Sequence, residues 1–254
     1  MLRLGSSAAL TVSLPALVLL PSTADADDAA GAEEISEITV NARRIANKRP
    51  AGTYASPATA LRFDPLTELQ SRGLAEGQSD VTVRGGVFEN TGFKLGAVTV
   101  MDPQTGHYVA ELPVDPALMS TPAILKGIDS AVEGFNSAIA TVAYGIRRVD
   151  DGGYVSIGLG SDSLNRQALR IGHVADSGLG LALSVARSEG DGTVPFGDHE
   201  FSRFNVQVQR ANENVQSDLI VSYQDKFYGW PGAYTGFASL PETDDTQTTL
   251  VMLN

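Results

Sequence analysis

The chain has 254 residues, enough for one large domain or two smaller ones. Its formal charge of −12 argues against nucleic acid or an anionic membrane surface as partner, while 43% hydrophobic residues suffice for a core. With no cysteine there is no disulfide frame, thiolate nucleophile or cysteine metal site.

Residues 1–26 carry one Arg, an apolar run over 8–20, and small residues at Ala24 and Ala26. That is the layout of a secretory signal peptide, cleaved after Ala26. The run is shorter than the roughly 20 apolar residues of a spanning helix, which favours export with cleavage over an anchor. Residues 27–34 are small and acidic and cannot bury enough apolar area to fold. Within 34–44, Ile35, Ile38, Val40 and Ala42 make a brief β-prone stretch, followed by the flexible NKRPAGTYASPATA. Such a strand has two unpaired edges. It is either a stray loop or a segment held ready for another protein's sheet. The whole of 27–60 is expected to be flexible.

Residues 61–150 have the pattern of a mixed domain. LTELQSRG predicts a short helix ended by Gly73. Asp80 to Arg84 alternates Val81 and Val83 with polar residues, as a half-buried strand does. Two strand pieces at 93–95 and 98–100 are separated by Gly96. PALMSTPAILKG predicts a second short helix or turn, and 138–144 is another apolar run.

The character changes after Asp150-Asp151-Gly152-Gly153. Val155, Ile157 and Leu159 alternate with Tyr154, Ser156 and Gly158, and about five further alternating runs follow to Leu253. Each is close to the 9–11 residues of a tilted membrane strand. The connections at 175–178 and 211–216 are short, while SEGDGTVPFGDHEF and DKFYGWPGAYTGFASLPETDD are long. Short and long loops alternate in outer-membrane barrels; a soluble β-sandwich shares the strand period but has less reason for that alternation.

Four segments in this order, EITVNA, DVTVRGG, VMDPQTGHYVAELPV and YGWPG, behind a signal peptide, resemble a TonB-dependent outer-membrane receptor of the cobalamin- and siderophore-receptor branch. The resemblance covers nearly all of the mature chain. It implies a fold that is mainly β with some α: an α+β plug at 61–150, then the first antiparallel strands of a transmembrane β-barrel, about six of them, at 151–254. Residues Glu37, Ile38, Thr39, Val40, Asn41 and Ala42 match the TonB box, which pairs as a strand with the inner-membrane-coupled protein TonB. Arg84, Gly85 and Gly86 match the structural plug motif, with Arg84 inside the barrel beside carboxylate or carbonyl partners. The loops 86–91 and 102–108 match the plug's apical loops, which makes Phe88, Asn90, Gln104, His107 and Tyr108 candidates for ligand contact or plain solvated tips.

The chain departs from the family pattern at Lys94-Leu95-Gly96-Ala97, at Lys126-Gly127-Ile128 and at Ala140-Thr141. Family barrels have 22 strands, and six cannot close around a plug. The resemblance therefore implies the N-terminal piece of a longer receptor in the outer membrane of a Gram-negative bacterium. That receptor would carry a metal chelate or cobalamin without any cofactor of its own. A ligand-binding protein without transport, and a nonfunctional remnant, are the alternatives.

Catalysis finds no motif. His107, His173 and His199 show no HExxH spacing, GLGSDS lacks the third glycine of a dinucleotide loop, and no Ser lies in GxSxG. His199 stands in sequence among Glu189, Asp191, Asp198 and Glu200, either a Ca²⁺ site or, by preference, a solvated acidic loop.

Overall fold

The computed structural model describes residues 56–72, 77–101, 112–133 and 136–254, which all fall within one unit of the chain. The expected signal peptide, the TonB-box match, Gln104, His107 and Tyr108 lie outside the described residues.

The N-terminal part begins with a 3-10 helix, Pro57–Phe63, whose Ala58 and Leu61 are buried. Residues 57–60, expected to close a flexible segment, are thus folded, because two apolar side chains three apart both reach the core. Strands β1 (Thr67–Arg72) and β2 (Gln78–Val83) then pair antiparallel. The expected helix over LTELQSRG is strand β1 instead. Leu66 and Leu69 suit a helical period, but Thr67, Leu69 and Ser71 also alternate with exposed Glu68 and Gln70, and pairing with β2 decides between them. Strand β2 is buried on both faces, not on one.

A four-stranded sheet follows, ordered β4–β3–β6–β5, from β3 (Thr91–Leu95), β4 (Val98–Val100), β5 (Ala123–Lys126) and β6 (Ala140–Tyr144). β3 and β6 are parallel, and the other pairings are antiparallel. Gly96, at φ 57°, makes the β3–β4 turn where the sequence places it. PALMSTPAILKG resolves into a 3-10 turn, Pro116–Leu118, capped by the Asp115 carboxylate, and strand β5. The one-turn helix α1 (Ile128–Ala131) follows, and Lys94 on β3 pairs with Glu133 just past it. Phe93, Leu95, Val114, Leu118, Val142 and Tyr144 form the core, joined by Ala182, Ile220 and Met252 of the following sheet.

That sheet is a six-stranded antiparallel meander: β7 (Gly152–Leu159), β8 (Asn165–Val174), β9 (Leu179–Gly190), β10 (His199–Ala211), β11 (Gln216–Gly229) and β12 (Thr243–Leu253). Connections 175–178 and 212–215 are short and share one end; 160–164, 191–198 and 230–242 share the other and lengthen along the chain. Its polarity is reversed relative to a soluble sheet. Gly180, Ala182, Ser184, Ala186 and Ser188 of β9 face inward and, with Asn205, Gln207 and Gln209 of β10, cover the N-terminal part. Leu181, Leu183 and Val185 of β9 face outward. In register with them lie Ile171, Phe204, Val206, Val208, Leu219, Val221 and Val251.

Toward the long loops this outward apolar band is level across the inner strands, with Leu169 on β8, Val185 on β9, Phe204 on β10 and Tyr223 on β11 in one register row, and Phe227 higher on β11 in the row of Leu159. No helix among the described residues is long and apolar enough to cross a membrane, which says nothing of strands.

Candidate functional site

The connection from β2 to β3 holds the described candidates. Val83 to Gly86 forms a tight turn in which Gly86 N–H donates to Val83 O at 3.0 Å. Arg84 and Gly85 sit at φ 53° and 70°, the pair of left-handed residues a type I′ turn requires. A Cβ on Gly86 would lie 2.2 Å from Ile139 Cδ1, so this glycine lets the turn close on the next connection. Arg84 itself is exposed, and its N–H donates to Leu66 O at 2.9 Å. Phe88 and Asn90 belong to the 3-10 turn Phe88–Asn90; Phe88 is half-buried and Asn90 exposed. Asn90 O accepts from Ile139 N–H at 3.1 Å, which gathers 84–90 and the β5–β6 connection at one end of the four-stranded sheet. The opposite end is tied to the short-turn end of the meander, where Asn254 Oδ1 accepts from Ala97 N–H at 2.7 Å.

The inner wall adds residues that motif reasoning did not select. Arg166, Phe201 and Arg203 face inward and, with Tyr154 and Asp115, line a cavity of about 20 Å³, the size of one water molecule. The Arg203 guanidinium lies 4.8 Å from the Phe201 ring centroid, and its Nε donates to Gln224 Oε1 at 3.3 Å. Lys226 Nζ donates to Gly77 O at 2.6 Å and lies 5.5 Å from the Tyr228 ring centroid. Asp218 and Asp244 also face inward, so the wall carries both signs beside the inward cations Arg166, Arg170, Arg203 and Lys226. Their signal in the sequence is phase alone: Arg166, Arg203 and Lys226 sit on the inward period of their strands.

The loop 230–242 is built around an aromatic row. Trp230 stacks on Tyr228 with centroids 6.4 Å apart and is tilted against Tyr234 at 6.1 Å. The Glu242 carboxylate closes the loop, accepting from Tyr234 N–H at 2.7 Å and Thr235 N–H at 3.0 Å. These backbone donors, Tyr234 first, hold its pKa below the ordinary value. Tyr234 and Phe237 are exposed beyond them. At the other end of the sheet, Arg170 Nη2 meets Asp150 Oδ1 at 2.6 Å, and this hydrogen bond is the main cause that lowers the Asp150 pKa.

The acidic neighbours of His199 part to different faces. His199 points inward with Nε2 at 3.1 Å from Ser188 Oγ, whereas Glu189 and Glu200 point outward to Arg187, at 3.0 and 2.9 Å. Among the described residues no cluster of three or more His, Asp or Glu converges as a metal site.

Comparison with solved structures accounts for this combination of a mixed domain and a polar-lined sheet. The alcaligin outer-membrane receptor FauA from Bordetella pertussis matches with a TM-score of 0.57 at 17% identity, over 78% of this chain and 32% of its own. The ferripyoverdine receptor of the outer membrane of Pseudomonas aeruginosa gives 0.55 at 18%, over 75% and 26%. The FrpB iron transporter from Neisseria meningitidis gives 0.55 at 14%, over 80% and 34%. The fold is a receptor plug followed by barrel strands. The chain spans about a quarter to a third of the length of these three proteins. No protein-family model matches it, and no curated protein does. In this fold the N-terminal part is the plug, and its Phe88 and Asn90 lie at the end away from the tie between Ala97 and Asn254.

Proposed function

We propose that the chain is part of a TonB-dependent outer-membrane receptor that takes up a scarce nutrient presented as a metal chelate, of the siderophore kind. One observation carries this reading: the meander packs small and polar residues against the plug and turns an apolar band outward. A soluble sandwich buries its apolar face, whereas a barrel wall in hydrocarbon does the reverse. The alcaligin and ferripyoverdine receptors and the iron transporter among similar folds favour a metal chelate over cobalamin.

In this reading residues 1–26 direct export, 61–150 form the plug, and 151–254 supply the first barrel strands. Glu37 to Ala42 pair with TonB as an added strand, and Arg84, Gly85 and Gly86 shape the plug turn. Phe88, Asn90, Gln104, His107 and Tyr108 contact the ligand from the apical loops, and the protein performs no catalysis. Fractionation of cells expressing the gene tests the placement: detergent-extractable outer-membrane protein is expected, and a soluble periplasmic product would sink it. A strain lacking the gene is expected to lose growth on a ferric siderophore and to keep growth on a corrinoid; the converse would overturn the ligand class.

A further inference from the structure

Two carboxamides on β10 hold extended plug backbone in the same way. Asn205 Nδ2 donates to Pro113 O at 2.8 Å, and its Oδ1 accepts from Asp115 N–H at 2.8 Å. Further along the strand, Gln209 Nε2 donates to Arg147 O at 3.1 Å, and its Oε1 accepts from Val149 N–H at 2.9 Å. Each amide takes the carbonyl of one residue and the N–H of the residue two further on. Those are the groups that one residue of a neighbouring strand would take in a parallel sheet. A side chain here stands in for a strand.

The second clamp has a backing layer. Asp218, 2% exposed, is paired in register with Gln209. Its Oδ1 accepts from Gln209 Nε2 at 2.6 Å and Gln207 Nε2 at 3.0 Å, and its Oδ2 from Gln216 Nε2 at 2.9 Å and Asn254 Nδ2 at 3.5 Å. Gln207 and Gln216 also donate to Arg147 O at 3.0 Å and Ile146 O at 3.3 Å. Beside them Arg148 Nη2 donates to Asn212 O at 2.8 Å, in a short turn of the meander. A carboxylate accepts more strongly than an uncharged group would, and a buried donor left unmatched is costly.

We infer that Asp218 is a positioning residue. It aims three glutamine amides at the backbone of 146–149 and so latches the plug's exit segment to the barrel wall. Apart from Arg148, the latch reads main chain only. It therefore fixes where the chain passes from plug to wall without constraining which side chains the plug presents elsewhere. The latch lies at the short-turn end of the meander, and it stands whatever ligand the receptor carries.

Hydrogen exchange on the full chain in detergent micelles tests it. Asp218→Asn points an amide at amide donors, so the Val149 N–H is expected to exchange at least about tenfold faster, a loss of one hydrogen bond's worth of protection. The ladder amides of β9 and β10 around Ser184 and Val206 are expected to stay within about twofold. Adding Asp218→Asn to Gln209→Met should change Val149 little further, because Asp218 acts through Gln209. If Asp218→Asn does not fold, Gln209→Met alone carries the test of the latch by the same local loss. Val149 exchange unchanged in the variant that folds, or a loss spread equally over the β9–β10 ladder, would overturn the proposal.

Discussion

At the scale of single residues, Glu242 does for a loop what Asp218 does for a strand. Its carboxylate takes two N–H groups that no ladder satisfies, and the loop it closes carries Trp230, the only tryptophan in the chain. Tryptophan emission from this chain therefore reports on this loop. Glu242→Gln leaves one oxygen for two donors and is expected to shift Trp230 emission to the red as the stack with Tyr228 and Tyr234 loosens. Protonation should act likewise. Because the folded-state pKa lies below the ordinary 4.5, the clamp is complete above that value and is lost as pH falls through the lowered one. A Trp230 signal unmoved by the variant and flat through acid would contradict this role. Nothing local in the sequence announces it, since Glu242 lies 8 residues from Tyr234 across a loop.

At the scale of elements, the strands of the meander were legible because apolar residues alternate with polar or small ones along them, and on β9 to β11 burial alternates with the same period of two. What alternation leaves open is which face is buried, and here the apolar one is not. Leu183 on outward-facing β9 and Ser184 beside it make the contrast sharp, for Ser184 Oγ donates to Asn205 Oδ1 at 3.1 Å on the inner face. Leu183→Arg is expected to destabilise the lipid-embedded protein by about 2–4 kcal/mol, read by denaturant titration in liposomes. A change under about 0.5 kcal/mol, the level of a solvent-facing position, would place that face in water. The plug strands were harder to read. Strand β1 satisfies helical and strand periods alike, and β2 is covered on both faces, so neither could be settled without its partners. The clamps of Asn205 and Gln209 were out of reach altogether, because their partners lie 60 or more residues away and are backbone atoms.

At the scale of the whole molecule, the plug is held to the wall at its exit by main-chain hydrogen bonds. The proposed TonB contact at 37–42 would be main-chain as well. Strand addition needs alternate N–H and C=O groups on an extended tether and is nearly indifferent to side chains. Ile38→Pro or Val40→Pro removes a ladder donor from a segment that precedes 61–150 in sequence. Membrane insertion and ligand binding by the complete receptor are expected to persist, while energised uptake falls to the level of a strain lacking TonB. Ile38→Ala separates side chain from main chain, since it keeps the N–H and should retain most uptake. Normal uptake by both proline variants would remove 37–42 from the coupling path. Equal loss in the alanine variant would mean that side chains, not a shared ladder, make the contact.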